Sequence, residues 1–180
     1  YEGKGMELIV PLAEMAKDYQ FHIVGGTESD IAEWKARCAY LGNIHFYGYV
    51  DQRKVSLYLK LFDMVLLPNQ PKVIVKGLSN KSEYSSGIDI GGWTSPLKMF
   101  EYMSAGKLIL ASDLTVLKEI LVDGENSVLC KPENPEDWFL RLEELVADPS
   151  QAREIAANAK REFEQHYTWL KRAVKCVPQT

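Results

Sequence analysis

The sequence predicts an α/β fold: an open parallel sheet with helices on both faces, in one domain over residues 1–180. Three observations carry this expectation. Short apolar runs such as "FHIV", "DMVLLP" and "LILAS" lack the polar–apolar alternation of a sheet with one wet face, so both their faces should be covered. Amphipathic stretches of helical length separate those runs, which is the pattern of strand–helix–strand units. Hydrophobic residues make up 46% of 180 residues, enough to bury one substantial core.

The elements follow in order. "GKGMELIVPLAEMAKDY" is a loop and a helix, and "QFHIVGG" is a strand ending on Gly25 and Gly26. "ESDIAEWKARCAYLG" is a helix closing on Gly42, and "IHFYG" is the next strand. Asp51 is placed to cap "QRKVSLYLKL", and "DMVLLP" is a strand stopped by Pro68. The stretch from Pro68 to Gly92 is too long for an ordinary connection, with "VIVKG" expected as a small hairpin.

Ser95 and Pro96 suit the N-cap and first position of a helix, because proline there forfeits no hydrogen bond. Leu97, Met99, Phe100, Tyr102, Met103 and Ala105 cover most of its circumference, so it should be largely buried. Gly106 stops it and "LILAS" follows. Asp113 is expected to cap a helix in "DLTVLKEILVDG", with Asp123 and Gly124 as a turn and "SVLC" as the last strand. Helices fill residues 135–177, punctuated by Pro135, Pro149 and Thr168. A helix normally follows a strand in such chains, so a first strand is expected to be missing, leaving a central gap in the sheet.

A net charge of −4 offers no general attraction to nucleic acid or to an anionic membrane, and no nucleic-acid partner is expected. Cys38, Cys130 and Cys176 are far apart and lack metal-type spacing, so buried free thiols in a reducing compartment and no metal are expected. No apolar run approaches the length of a membrane span, and no signal peptide is visible. A cytoplasmic setting is therefore expected. His22 and His45 lie in or beside strands and read as structural, whereas His166 reads as exposed. Trp34, Tyr40, Trp138 and Phe139 read as packing residues.

Ligands of an open parallel sheet bind beyond the carboxyl ends of its strands. That edge collects Gly25-Gly26-Thr27, Gly48-Tyr49-Val50, Pro68-Asn69, the helix start at Pro96, and Ser112-Asp113. Exposed amides and a helix start suit a phosphate. Lys98, Glu101 and Ser104 are spaced by three and form one polar stripe on an apolar helix. Lys98, in the first turn, opposes the helix dipole unless an anion sits nearby. The Glu101 carboxylate can accept two hydrogen bonds from vicinal hydroxyls of a sugar, at about 1.5–3 kcal/mol each. The bland alternative is a Lys98–Glu101 surface pair worth about 0.2–0.5 kcal/mol. The residues alone leave both readings open, and no G-x-G-x-x-G fingerprint is present.

"SPLKMFEYMSAGKLILASDLTVLKEILVDGENSVLCKPENPEDW" resembles the nucleotide-sugar-binding half of glycosyltransferase family four, which has the GT-B fold. "YEGKG", "FHIVGG", "IHFYGYV" and "HYTWLKRA" match further landmarks of that family in the same order, so only the 68–92 loop falls outside the likeness. The resemblance implies a retaining, metal-independent transfer of a sugar from a nucleotide-sugar donor, with no cofactor, in polysaccharide or glycoconjugate biosynthesis. It implies two Rossmann-like domains, of which this chain is the second. The N-terminal domain that binds a sugar or lipid-linked acceptor is then absent, and the fragment alone is expected to be inactive. Peripheral membrane association of the full-length enzyme, at the inner face, fits a lipid-linked acceptor.

By the same resemblance Glu101 binds the ribose hydroxyls and Lys4 contacts the donor diphosphate, the two residues expected to serve catalysis. Ser95, Pro96 and Leu97, with Lys98, form the turn against the phosphates. Gly48, Tyr49 and Val50 hold the base, and Gly25 and Gly26 complete the donor-binding rim. One position departs: Trp93 stands where many members carry a second glutamate that contacts the donor sugar, leaving Asp89 and the Gly91-Gly92 backbone as candidates. Glu119 fits a helical position of the family, or an exposed helix face. Lys72, Lys76 and Lys81 suit a phosphorylated acceptor, or plain solvation. Two alternatives stay open, a GT-B nucleotide-sugar epimerase or hydrolase and a non-catalytic nucleotide-sugar-binding module.

Overall fold

The computed structural model describes residues 4–72, 74–75, 88–89 and 97–176. Helix α1 (Met6–Met15) leads into β1 (Phe21–Val24), then α2 (Glu28–Arg37), β2 (Ile44–Gly48), α3 (Gln52–Leu61) and β3 (Met64–Leu67). A short pair follows, β4 (Ile74–Val75) and β5 (Ile88–Asp89). The chain continues through α4 (Leu97–Ser104), β6 (Leu108–Ser112), α5 (Thr115–Lys118), β7 (Val128–Cys130), α6 (Pro135–Ala147) and α7 (Pro149–Glu162). A π-helical turn, Phe163–Tyr167, joins α7 to α8 (Trp169–Cys176).

The strands that alternate with helices run parallel, as expected. Phe21 lies opposite Ile44 in β1–β2, Met64 opposite Leu108 in β3–β6, and Leu110 opposite Val128 in β6–β7. Among the described residues they form two ladders, β1–β2 and β3–β6–β7. One apolar cluster spans both ladders: Leu8 and Leu12 of α1 and Trp138 of α6 pack with Phe21, Leu108, Leu110 and Val128. A second cluster joins Val65, Leu67, Ile109 and Ala111 to Met99, Met103 and Leu117. Successive β6 residues therefore feed opposite clusters, and all five of its residues are buried. That double coverage is why "LILAS" carries no polar residue on either face until Ser112.

Several boundaries differ from expectation. Helix α2 ends at Arg37, and residues 38–40 form a turn before Gly42. Within "VIVKG", Ile74 pairs with Asp89 and Val75 with Ile88, antiparallel, and the rest of that stretch lies outside the described residues. Asp113 is not a helix cap. Its carboxylate lies 2.7 Å from the Lys118 ammonium, its N–H donates to the Cys130 carbonyl at 2.7 Å, and α5 is a single turn starting after Leu114. Tying Asp113 to β7 leaves the chain too little room to start a helix there.

Other expectations hold. Asp51 caps α3 by accepting the Arg53 N–H at 2.9 Å, and Pro135 and Pro149 open α6 and α7. In α4, Met99 and Met103 are buried and Phe100, Glu101 and Tyr102 half-buried, but Leu97 is 72% exposed, so the helix is less enclosed than its composition suggests. Trp138 is buried and donates its indole N–H to the Lys131 carbonyl at 3.1 Å. Tyr40 is exposed rather than packed, because its hydroxyl reaches the Glu14 carboxylate. Cys38 and Cys130 are buried free thiols, and burial pushes Cys130 up to about 12, which leaves it protonated and inert. Among the described residues no helix is long and apolar enough to cross a membrane.

Candidate functional site

The carboxyl ends of β1 and β2 are knitted at the glycines. Gly25 donates its N–H to the Gly48 carbonyl at 2.7 Å, and the φ angles of Gly25, Gly26 and Gly48 are 106°, 93° and 71°. Residues with side chains rarely adopt that left-handed region, so glycine is what lets the backbone turn here. Thr27 then starts α2 through a reciprocal cap with Asp30. On the neighbouring loop Tyr49 is 87% exposed and Val50 half-buried, directly before Asp51 fixes the start of α3.

Lys4 is placed by the residue after it. Gly5 has φ +98°, and a Cβ there would meet the Pro68 ring at 2.3 Å and the Pro68 carbonyl at 2.4 Å. Only a residue without a side chain permits this approach of the α1 start to the end of β3. Lys4 thereby reaches the same edge as the glycine loops.

Helix α4 supplies the remaining polar groups. Its half-buried Glu101 accepts at Oε1 from Gln52 Nε2 of α3 at 2.9 Å. The Lys98–Glu101 surface pair is not formed. Instead the Lys98 ammonium is held below the usual lysine range, first by burial and then by the nearby Lys4 charge, with Glu101 partly offsetting both. Lys98 as a whole residue remains exposed. Burial, with the Glu101 charge second, pushes the Tyr102 hydroxyl up to about 12 and keeps it neutral. Ser104 donates its hydroxyl to the Glu101 backbone carbonyl at 2.8 Å and so closes the stripe.

Lys4, Lys98 and Glu101 thus share one neighbourhood, which Gln52, shortly after Gly48, Tyr49 and Val50, reaches from α3. Two cations and an open carboxylate beside the glycine turns can hold a phosphorylated polyol: lysines for the anion, the carboxylate for hydroxyls. Glu101 is half-buried rather than buried, which keeps it reachable. Ser95, Pro96, Gly91, Gly92, Trp93, Lys76 and Lys81 lie outside the described residues, and Asp89 is placed only by its strand pairing in β5. Lys72, Glu119 and His166 are exposed. His22 and His45 stack at 5.2 Å between ring centroids, in agreement with a structural role.

Gln52 was not singled out from sequence, although its position just after the predicted cap Asp51 places it on the ligand edge. Ser112, expected on that edge, is buried with no hydrogen-bond partner for its hydroxyl among the described residues. An open depression lined by Lys35, Cys38, His45 and Tyr47 lies beside β2, and lacks the rim's pairing of cations with a carboxylate.

A protein of Methanocaldococcus jannaschii described as an uncharacterized glycosyltransferase is 29% identical over 177 residues, covering 95% of this chain. The chain spans 40% of the length of that relative. The C-terminal domain of a glycosyl transferase group 1 family protein from Francisella tularensis superposes with a TM-score of 0.68 at 19% identity, covering 94% of this chain and 82% of that one. Anabaena HepE, solved in complex with UDP, superposes with a TM-score of 0.74 at 14% identity, covering 97% of this chain and 45% of that one. At such identities the structures speak to fold, the Rossmann-like arrangement of GT-B glycosyltransferases. Residues 4–148 match the family described as glycosyl transferases group 1, and with most of its length inside that match the chain belongs to this family.

Proposed function

We propose that this chain is the donor-binding, C-terminal half of a retaining glycosyltransferase of family four, which takes a hexose from a nucleoside-diphosphate sugar for polysaccharide or glycoconjugate assembly. The observation that carries the reading is the reachable Glu101 carboxylate, held by Gln52 on the rim beside Lys98 and near Lys4. Glu101 accepts from the vicinal hydroxyls of the ribose. Lys4 and Lys98 hold the diphosphate with the amides around Ser95 and Leu97, while Pro96 contributes no donor. Gly25, Gly26, Gly48, Tyr49 and Val50 border the base and phosphates through their backbone.

As the bond from the sugar carbon to the diphosphate oxygen breaks, negative charge grows on the leaving group, and Lys4 stabilises it where it forms. The acceptor hydroxyl attacks the sugar carbon on the face the diphosphate leaves, and its proton passes to the departing phosphate oxygen. Metal is unnecessary because two ammonium groups already neutralise the diphosphate, whose arrival also relieves their mutual repulsion. The acceptor, a sugar or lipid-linked sugar, binds on the other half of the full-length enzyme, which works in the cytoplasm at the inner membrane face.

The test is calorimetry on the full-length protein with UDP, GDP and ADP. UDP comes first because the Anabaena neighbour was solved with it. Glu101→Ala should weaken binding by at least about tenfold, the loss of one charge-assisted hydrogen bond, with an unchanged melting temperature. Equal affinity of mutant and parent would refute the reading. The isolated 180-residue chain should bind weakly and turn over nothing. Donor consumption by the full-length protein without acceptor would instead favour a hydrolase or epimerase.

A further inference from the structure

We infer that Gln52 is a positioning residue for the ribose: it holds the Glu101 carboxylate in the orientation that receives the vicinal hydroxyls. The inference rests on the reading of Glu101 given above. Three observations support it.

The Gln52 Nε2 to Glu101 Oε1 bond, 2.9 Å long, joins residues 49 apart in sequence and ties the start of α3 to α4 across the rim. Next, the anchor is itself anchored. Asp51 caps α3 by accepting the Arg53 N–H at 2.9 Å and also accepts from the same arginine's side chain at 2.9 Å and 2.8 Å, which favours the first helical turn that carries Gln52. Finally, the second Glu101 oxygen makes no hydrogen bond among the described residues, and Lys98 does not pair with it. A carboxylate tethered at one oxygen and open at the other is aimed.

The amide chemistry fits this role better than a charge would. A lysine at position 52 would neutralise Glu101 and compete with the sugar for it. A neutral N–H fixes the rotamer, lowers the entropy lost on binding, and leaves the carboxylate its full charge for the hydroxyls. Oε1 keeps a second lone pair, so it can accept from Gln52 and from a hydroxyl at once. Gln52 also begins the helix that follows Gly48, Tyr49 and Val50, so the tether links the ribose contact to the base-side loop.

The experiment is a double-mutant cycle in the full-length protein, read by calorimetry with UDP, GDP and ADP and their 2′-deoxy counterparts. Parent protein should prefer the ribonucleotide. Gln52→Ala should weaken ribonucleotide binding roughly 5- to 10-fold, less than the loss of a whole charge-assisted hydrogen bond because only the carboxylate's orientation is lost, while barely changing the deoxy ligand. In the Glu101→Ala background the same substitution should change nothing further, because the group it orients is gone. Gln52→Asn, one methylene short, should behave like Gln52→Ala. Gln52 is exposed, so the melting temperatures of these variants should match the parent.

The inference falls if Gln52→Ala keeps the parent's ribo-over-deoxy preference, or if its loss adds in full to that of Glu101→Ala. Those outcomes leave the ribose role of Glu101 standing. If Glu101→Ala itself leaves the preference intact, or the parent binds none of the diphosphates, the site reading falls and the inference with it.

Discussion

The two ladders of the sheet are built to different standards. In the β3–β6–β7 half, every residue of β6 is buried, and helices α4 and α7 pack on it. In the β1–β2 half, β2 has no fully buried residue, and α2 buries none of its residues up to Arg37. The first half is tightly enclosed, while the second ends in glycines of positive φ at a partly exposed edge. The candidate site takes Lys98 and Glu101 from a helix on the enclosed half, and Gln52 and the glycine loops from the open one. A binding edge between them gains a fixed carboxylate on one side and accessible backbone on the other.

The largest effect should come from testing that contrast directly. Leu110 of β6 is fully buried between helices, so Leu110→Ala should cost about 2–5 kcal/mol, the range for removing a large aliphatic side chain from a packed core. Ile44, its half-buried counterpart on β2, should cost clearly less when cut to alanine. Urea denaturation with a common slope reads both. Equal losses would mean that the open half is as tightly packed as the enclosed one, and the comparison would fail.

A smaller loss is expected where the two halves of the site meet. In Gly5→Ala the new methyl group would overlap the Pro68 carbonyl, a backbone atom, at a φ of +98° that alanine resists. Forcing such a conformation costs on the order of 1–3 kcal/mol. Because the clash pushes the α1 start off β3, Lys4 should shift and UDP affinity should fall with stability. A variant as stable as the parent that still binds UDP normally would show that the close approach does not position Lys4.

Much of this arrangement was legible in the residues. Apolar runs without alternation mark strands whichever helix covers them, so β1, β3, β6 and β7 could be placed from composition alone. Asp51, Pro135 and Pro149 gave true helix starts because their capping chemistry is local. Asp113 misled for the opposite reason: its best partners, Lys118 and the Cys130 backbone, lie on elements that only folding brings near. The same holds for the site. Lys98 and Glu101 stand out as polar residues in an apolar helix, but Gln52 is an ordinary surface glutamine until its contact with Glu101, 49 positions away, is known. Likewise nothing local reveals that Gly5 must touch Pro68.

The smallest effect concerns the open half alone and depends on pH. His22 of β1 stacks on His45 of β2 at 5.2 Å and on Phe62 at 5.5 Å, and its Nδ1 lies 2.8 Å from the Tyr47 hydroxyl. Burial first, and the neighbouring His45 second, hold its pKa below the ordinary 6.5. A base whose folded pKa is depressed binds its proton more readily in the unfolded chain, so protonation favours unfolding. Stability from this pair should be complete above pH 6.5, decline as the pH drops past that value, and be lost below the folded pKa of His22. His22→Gln should flatten this part of the profile in urea titrations across that range. Solvent screening of these partly exposed rings keeps the effect below those at Leu110 and Gly5. If His22→Gln leaves the acid-side slope unchanged, the histidine stack contributes nothing to holding β1 against β2, and the open half is held by its ladder hydrogen bonds and the shared apolar cluster.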